Sequence, residues 1–251
     1  MESSSRPPRL DPRNSAIFLD CDGTLAPFAK TPDAVVIPPA VRELLAHLER
    51  AADGALAIIT GRSLESIDNL FEPLRLPAAG LHGMHRRTNL GAESLYQVRD
   101  LAGLERIATA LNELAKGDPR LLVENKGQSY SLHYRRAPER GADINAFAKQ
   151  LVNELSNEFK LLLGNHVVEF MPGQVNKGSA IDAFMSESPY QGRRPVFVGD
   201  DVTDENGFDA VNRRGGWSIK VGGGESCANY RLSEPGAVHN WLRDGLETSG
   251  G

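Results

Sequence analysis

The chain has 251 residues and a formal net charge of −5 at pH 7; 40% of its residues are hydrophobic and 24% are charged. This length accommodates one large domain, or a core with a smaller second domain, each with an apolar interior. The acidic balance disfavours a nucleic-acid partner, which would require a basic stripe. The apolar runs at 55–59 and 161–163 are far shorter than the roughly 20 residues of a membrane-spanning helix, so we also expect no membrane partner.

The cellular compartment is predicted from the first residues and from the cysteines. Residues 1–12, MESSSRPPRLDP, contain charges and prolines and lack the apolar segment of a signal peptide. Cys21 lies between two aspartates in a segment rich in polar residues, where a disulfide would obstruct chemistry, and the second cysteine is Cys227. We expect two reduced cysteines, a cytoplasmic location and a monomer.

Strand and helix patterns alternate in the first and last thirds of the chain. Short apolar runs predict buried strands, and the segments after them predict helices that begin at Pro39, after a Ser63 N-cap, near Lys177 and after Asp204. The predicted strands are 15–19, 55–59, 196–198 and 217–221. This alternation favours an α/β fold with a doubly wound parallel sheet, which is a Rossmann-like core.

The middle of the chain has a different order of elements. A helical stripe at 101–114 is followed by strands at 121–124 and 130–134, and a helix at 144–155 is followed by strands at 161–163 and 167–170. The order α-β-β-α-β-β predicts an inserted α+β cap with an open antiparallel sheet. We therefore predict core segments at 1–85 and 171–251 and a cap at 86–170, with two chain crossings that would permit lid motion.

Two aspartates follow the first buried strand, in the segment FLDCDGTLAPF. Asp20 and Asp22 are two residues apart, so their side chains can point the same way where the strand ends. Two such carboxylates could bind a hard cation, or they could divide the roles of nucleophile and proton carrier. An Asx-type turn that caps the strand explains a lone D-x-D-G equally well. A helix-loop-helix calcium site is excluded, because its twelfth position would be Thr31.

In the segment VFVGDDVTDENGF, a second group of acidic residues follows the predicted strand at 196–198. Asp200, Asp201, Asp204 and Glu205 would repel one another without a nearby positive charge. Carboxyl ends of parallel strands meet at one edge of a sheet, so this segment and the first aspartates could share a crevice. Mg²⁺ prefers such oxygen ligands. A solvated acidic helix start explains part of the cluster, but it does not explain an aspartate that ends a strand.

Candidate phosphate-binding groups occur at two further places. Thr60-Gly61-Arg62 closes the second predicted strand, which would leave a hydroxyl and backbone amides available for phosphate oxygens. Lys177, which precedes a predicted helix, could place a fixed positive charge beside a phosphoryl group. Taken singly, the tripeptide is a weak signal and most lysines are only solvated.

Together, these four segments resemble the four motifs of the haloacid dehalogenase superfamily in order and spacing, over residues 15 to 245. The resemblance implies that Asp20 is a nucleophile that becomes an aspartyl-phosphate, and that Asp22 is the acid and base. It implies that Thr60 and Lys177 hold the phosphoryl group. It also implies a Mg²⁺ ion held by the residues Asp20, Asp22 (through its backbone carbonyl), Asp200 and Asp201, with Asp204 in support.

Further segments resemble the trehalose-6-phosphate phosphatases in particular. They are V-E-N-K-G at 123–127, H-Y-R at 133–135, V-V-E-F-M-P-G at 167–173, GDDVTDE at 199–205 and the tail VGGGES…Y-R-L…W-L. The resemblance implies that the residues that bind the sugar phosphate are Gly61, Arg62, Glu124, Lys126, His133, Arg135 and Glu169. Without it, the cap residues are ordinary charges on a sheet surface. This chain has Met84-His85 where the family often has alanine-glutamate.

Three alternatives remain open at this stage. A phosphatase for sucrose or mannose phosphates, or a sugar phosphomutase, would use the same core with other cap residues. A receiver module also combines a phosphorylated aspartate, an acidic pair, magnesium, threonine and lysine, but the late acidic pair and the insert disfavour it. The third alternative is a catalytically silent partner of a trehalose-synthesising enzyme.

Overall fold

A computed structural model describes residues 6–27 and 34–247. The described residues divide into two compact units, a core whose residues lie within 1–95 and 176–251 and a cap formed by residues 96–175. The cap begins and ends later than the predicted range 86–170. Residues 85–87 and 93–95 form strands of the core sheet, and the last cap strand continues to residue 172.

The described residues form seven α-helices and twelve β-strands. The helices are α1 Pro39–Ala51, α2 Leu64–Phe71, α3 Leu101–Lys116, α4 Gly141–Asn153, α5 Lys177–Met185, α6 Glu205–Arg213 and α7 Pro235–Leu246. The strands are β1 Ser15–Leu19, β2 Leu56–Ile59, β3 Ala78–Gly80, β4 His85–Arg87, β5 Glu93–Leu95, β6 Leu122–Asn125, β7 Tyr130–His133, β8 Phe159–Gly164, β9 Val167–Pro172, β10 Arg194–Gly199, β11 Trp217–Val221 and β12 Tyr230–Leu232. Within the described ranges, no helix combines the length and the apolar character needed to span a bilayer.

The core contains an eight-stranded sheet in the order β12-β11-β10-β1-β2-β3-β4-β5. The strands from β12 to β3 are parallel, and β4 and β5 add an antiparallel edge. All five residues of β1 are buried, as the apolar run predicted. Pro39 begins α1, and the Ser63 hydroxyl accepts a hydrogen bond from the Ser66 amide at 3.2 Å, which confirms both predicted helix starts. The predicted fold class is confirmed.

The cap contains a four-stranded antiparallel sheet in the order β6-β7-β9-β8. Helices α3 and α4 cover one face, where Ile107 and Ile144 pack in one apolar cluster with Leu132 and Phe170. Leu101, the first residue of the predicted helical stripe, is 62% exposed, because it lies at the first position of α3. The opposite face of the sheet carries polar residues from three adjacent strands.

Candidate active site

The carboxyl ends of adjacent parallel strands bring the predicted residues of the core together. Asp20 follows β1, Thr60 follows β2 and Asp200 follows β10, and β1 pairs with both β10 and β2. A parallel sheet places these three ends at one edge, where ligands bind in open α/β sheets. Segments that are far apart in sequence thus form a single polar site.

Lys177 lies at the centre of this site and is buried. It is the first residue of α5, whose start is fixed by a reciprocal capping box between Asn176 and Ser179. The Lys177 Nζ donates to Asp20 Oδ1 at 2.9 Å and to Asp204 Oδ1 at 2.6 Å. The lysine is 3% exposed and Asp204 is completely buried, so solvent screens these ion pairs weakly.

Three carboxylates form a candidate metal centre. One oxygen each from Asp20, Asp200 and Asp204 lies within 4.8 Å of the other two. The Thr24 hydroxyl donates to Asp200 Oδ1 at 3.1 Å and orients this carboxylate. Gly23 has a φ of 82°, and a Cβ atom there would overlap the Asp200 carboxylate, so the loop requires glycine at this position.

Electrostatics of the three carboxylates favour a bound cation. Burial raises the pKa of Asp20 well above its usual value; the Lys177 ammonium opposes this rise, whereas the Asp204 carboxylate adds to it. Burial and the Asp204 carboxylate raise the pKa of Asp200 to about 6. Burial alone would lower the pKa of Lys177, but Asp20 and Asp204 outweigh it and the pKa is raised. Three carboxylates against one ammonium group leave an excess of negative charge, and their oxygen donors fit a hard divalent cation.

Asp204 takes the place in this group that the sequence suggested for Asp201. The Asp204 Oδ2 atom accepts hydrogen bonds from the amides of Asp200 at 2.9 Å and Asp201 at 2.8 Å, so its carboxylate is held beneath the loop. The exposed Asp201 carboxylate accepts from the Val202 amide at 2.6 Å and caps the short 3₁₀ helix Val202–Asp204. Within the described residues, Asp201 is not part of the group.

Asp22 is ion-paired with Arg62. Arg62 Nε donates to Asp22 Oδ2 and Nη2 donates to Oδ1, both at 2.7 Å, in the two-pronged geometry that an arginine favours. Arg62 Nη1 also donates to the Ser66 hydroxyl at 3.1 Å. The Asp22 carboxylate is thus engaged by Arg62. This leaves the Asp22 backbone carbonyl as the group that the resemblance assigns to the cation.

The loop Thr60-Gly61-Arg62 lies at the end of β2, as predicted. Thr60 is buried, and its hydroxyl accepts a hydrogen bond from the Arg62 amide at 3.4 Å. The Thr60 amide donates to the Ala79 carbonyl of β3 at 2.9 Å, which anchors the loop to the sheet.

The predicted cap residues share the polar face of the cap sheet. Strand register aligns Glu124 with Ser131 and Ser131 with Glu169, which places all three on one face. The Lys126 Nζ lies 3.1 Å from Glu169 Oε1, and His133 Nε2 lies 2.9 Å from Glu124 Oε2. The structure thus groups four of the five predicted cap residues into two pairs. The fifth, Arg135, is exposed beyond β7.

Lys220 is a further residue of the site that the sequence reasoning missed. It is 6% exposed on β11, and its Nζ donates to the Asp200 carbonyl. A lysine within the apolar strand sequence Trp217-Ser218-Ile219-Lys220-Val221 was the available signal, because a buried strand seldom carries an ammonium group without a partner. His85, which departs from the family pattern, lies 3.1 Å from Glu93 on β5.

Comparisons with known proteins agree with this architecture. A haloacid dehalogenase-like hydrolase from B. subtilis superposes with a TM-score of 0.67 over 91% of this chain and 99% of its own, at 13% identity. The C-terminal domain of a C. albicans trehalose-6-phosphate phosphatase superposes with a TM-score of 0.80 over 94% of this chain and 93% of its own, at 20% identity. The chain therefore has the fold of the haloacid dehalogenase-like proteins.

The sequence comparisons define the family more narrowly. The trehalose-phosphatase family model matches residues 18–235. The trehalose-6-phosphate phosphatase of Escherichia coli (strain K12) is 42% identical over 227 residues, which are 90% of this chain and 85% of the relative. The chain belongs to the trehalose-phosphatase family.

Proposed function

We propose that this chain hydrolyses trehalose 6-phosphate to trehalose and inorganic phosphate, the last step of trehalose biosynthesis. The observation that carries the proposal is the buried contact between Lys177 and Asp20 within the group of three carboxylates. Membership of the family supports the substrate, and the geometry of the core supports the chemistry.

Asp20 is the proposed nucleophile. One of its carboxylate oxygens forms a bond to phosphorus as the bond between phosphorus and the sugar oxygen breaks, which leaves an aspartyl-phosphate. Asp22 donates a proton to the departing sugar oxygen. Lys177 reduces the repulsion between the anionic nucleophile and the anionic ester, and the Thr60 hydroxyl and the Gly61 amide bind the phosphoryl oxygens.

The second step returns the site to its starting state. A water molecule attacks the phosphorus of the aspartyl-phosphate, Asp22 accepts the proton of that water, and the Asp20 carboxylate is released with inorganic phosphate. Arg62 donates two hydrogen bonds at 2.7 Å to the Asp22 carboxylate, which stabilise the anion that accepts this proton. To carry its proton in the first step, Asp22 would have to release at least one of these bonds.

Mg²⁺ is the proposed cation, because every donor in the candidate metal centre is an oxygen atom. Asp20, Asp200 and Asp204 would hold it, together with the backbone carbonyl of Asp22. When bound, the ion would supply positive charge that offsets the carboxylates and the phosphoryl oxygens.

The polar face of the cap sheet is the proposed binding surface for the sugar. Glu124, Lys126, His133 and Glu169 offer both acceptors and donors, which suits a disaccharide rich in hydroxyl groups. These groups contact one another in two pairs. Hydrogen bonds to sugar hydroxyls would replace these contacts. Arg135, which is exposed beyond β7, would add a further donor.

We also propose that the enzyme is a cytoplasmic monomer whose cap moves as a lid. Cys21 and Cys227 are both free thiols, which is typical of a reducing compartment. The chain passes between the two units only near residues 95 and 176, which suits a hinge. Scattering profiles with and without substrate test the lid, since a rigid cap would leave the radius of gyration unchanged.

An Asp20→Asn variant tests the mechanism, because the amide has nearly the volume of the carboxylate and is a poor nucleophile. We expect phosphate release to fall by at least about a thousandfold, while calorimetry still detects binding of trehalose 6-phosphate. Arg243→Met, a change on the exposed face of α7, is the control for handling and folding. Asp20→Asn turnover within tenfold of the unsubstituted enzyme contradicts an aspartyl-phosphate mechanism.

A further inference from the structure

A strained turn is hydrogen-bonded to the loop Thr60-Gly61-Arg62 of the core. Leu81, His82 and Gly83 follow β3, and all three have positive φ values of 50°, 55° and 106°. Left-handed backbone is uncommon for residues with side chains, and such residues concentrate at functional sites. Two consecutive residues other than glycine in this conformation therefore require an explanation.

The backbone of this turn is bonded to the loop that carries Thr60. The Leu81 amide donates to the Arg62 carbonyl at 2.8 Å, and the His82 amide donates to the Thr60 carbonyl at 3.0 Å. A right-handed backbone at Leu81 would redirect the His82 amide away from the Thr60 carbonyl. The strained conformation thus holds the turn against the loop.

The same turn also touches the segment that carries Lys177. A Cβ atom at Gly83 would lie 2.7 Å from the carbonyl oxygen of Asn176, the residue before this lysine. Gly83 therefore permits a close approach of two backbones. One three-residue turn contacts both segments that are proposed to bind the phosphoryl group.

The imidazole ring of His82 packs directly against Gly61. A Cβ atom built at Gly61 would lie 2.7 Å from both Cε1 and Nε2 of His82. The ring therefore occupies the space that a side chain at position 61 would fill. It restricts the orientation of the Gly61 backbone from the side of the turn.

We infer that His82 is a positioning residue for the phosphoryl-binding loop: its ring, held by the left-handed turn, fixes the backbone of Gly61 and the neighbouring Thr60. The inference rests on the proposed function, since it takes this loop as the phosphate site. His82 acts through Gly61 and makes no bond to the substrate. Removal of the His82 ring should lower turnover more than it lowers the stability of the fold.

Two substitutions of His82 and one matched control test the inference by kinetics. His82→Ala removes the ring, and we expect kcat and kcat/KM for trehalose 6-phosphate to fall together by about 10- to 100-fold. His82→Asn should recover turnover to within about fivefold, because asparagine tolerates left-handed backbone and keeps a planar group. The control is His166→Ala, which removes another histidine with a positive φ, 59°, in the cap turn between β8 and β9.

Calorimetry with inorganic phosphate and Mg²⁺ provides a readout that does not depend on turnover. We expect His82→Ala to weaken phosphate binding about tenfold relative to the unsubstituted chain and to His166→Ala. If the unsubstituted chain binds phosphate but does not hydrolyse trehalose 6-phosphate, the proposed function fails and the phosphate affinities still decide the role of His82. A His82→Ala variant with a lowered melting temperature but unchanged kcat and phosphate affinity overturns the inference.

A double variant tests the packing of the His82 ring against Gly61 directly. Gly61→Ala should disrupt the loop by collision with the ring, whereas in Gly61→Ala/His82→Ala the new methyl group enters the space that the ring has left. We expect the double variant to bind phosphate more tightly than Gly61→Ala alone, a non-additive effect of residues in contact. Additive losses in the double variant overturn the proposed contact.

Discussion

Replacing Lys177 by methionine tests whether one buried ammonium group balances the acidic site. The lysine is 3% exposed, and its Nζ lies 2.9 Å from Asp20 and 2.6 Å from Asp204. Methionine has a similar length and no charge, so both carboxylates would remain buried without their common donor.

The expected loss of stability follows from this burial. Removing one partner of a buried ion pair costs about 3–5 kcal/mol, because the other partner remains charged and desolvated. Protonation of Asp20, whose pKa burial already raises, relieves part of this cost. We therefore expect a loss of about 3 kcal/mol at pH 8 and a smaller loss at pH 5. With a denaturant slope of about 3 kcal/mol/M, the urea midpoint falls by about 1 M.

Urea unfolding with chelator present measures this loss. Trp217 and Trp241 both lie in the core unit, so tryptophan fluorescence reports the unfolding of the part that contains Lys177. Arg243→Met is the control, because it removes an exposed positive charge from the same unit and should change stability by no more than about 0.5 kcal/mol. Added Mg²⁺ should stabilise Lys177→Met more than the unsubstituted protein. A midpoint within 0.3 M of the unsubstituted protein at pH 8 refutes the reasoning.

Three further predictions concern the cap, the missed lysine and pH. Glu124→Ala should raise KM for trehalose 6-phosphate about tenfold and leave a small aryl phosphate unaffected in parallel assays; equal losses on both substrates contradict a sugar-binding role. Lys220→Met should weaken Mg²⁺ binding about tenfold in calorimetry, because the Asp200 carbonyl loses its donor, whereas Lys220→Arg should retain most of the affinity; unchanged affinity in both variants assigns the lysine no role at the metal centre. Because the pKa of Asp200 rises from 3.8 to about 6 on folding, the native state binds the extra proton, and metal-free stability should fall by about 2 kcal/mol as pH increases from 4 to 7, after a discount for partial exposure. Asp200→Asn should flatten this part of the urea-midpoint profile, and an unchanged slope excludes Asp200 as its cause.

Sequence patterns predicted most of the elements that carry the site. Buried strands such as 15–19 have continuous apolar runs, and the polar residues that follow them are visible as motifs. The order of strands in a parallel sheet then brings Asp20, Thr60 and Asp200 to one edge. The cap order was equally visible, because helix and strand periodicities differ.

Other features depend on geometry that local patterns do not encode. Strands β3, β4 and β5 have three residues each, which is too short for a periodic signal. The group of carboxylates contains Asp204 and not the predicted Asp201. A 3₁₀ turn directs the Asp201 carboxylate outward and the Asp204 carboxylate beneath the loop. Likewise, the left-handed turn at His82 is hydrogen-bonded to the loop after β2, a contact between segments that are distant in sequence.

Phosphate release from trehalose 6-phosphate, sucrose 6-phosphate and glucose 6-phosphate, each with Mg²⁺ and with chelator, tests the central claim most directly. We expect a kcat/KM for trehalose 6-phosphate at least about a hundredfold above that for the other two esters, and we expect chelator to abolish this activity. Faster release from sucrose 6-phosphate or glucose 6-phosphate would contradict the assignment of the cap, and release that persists in chelator would contradict the proposed metal centre.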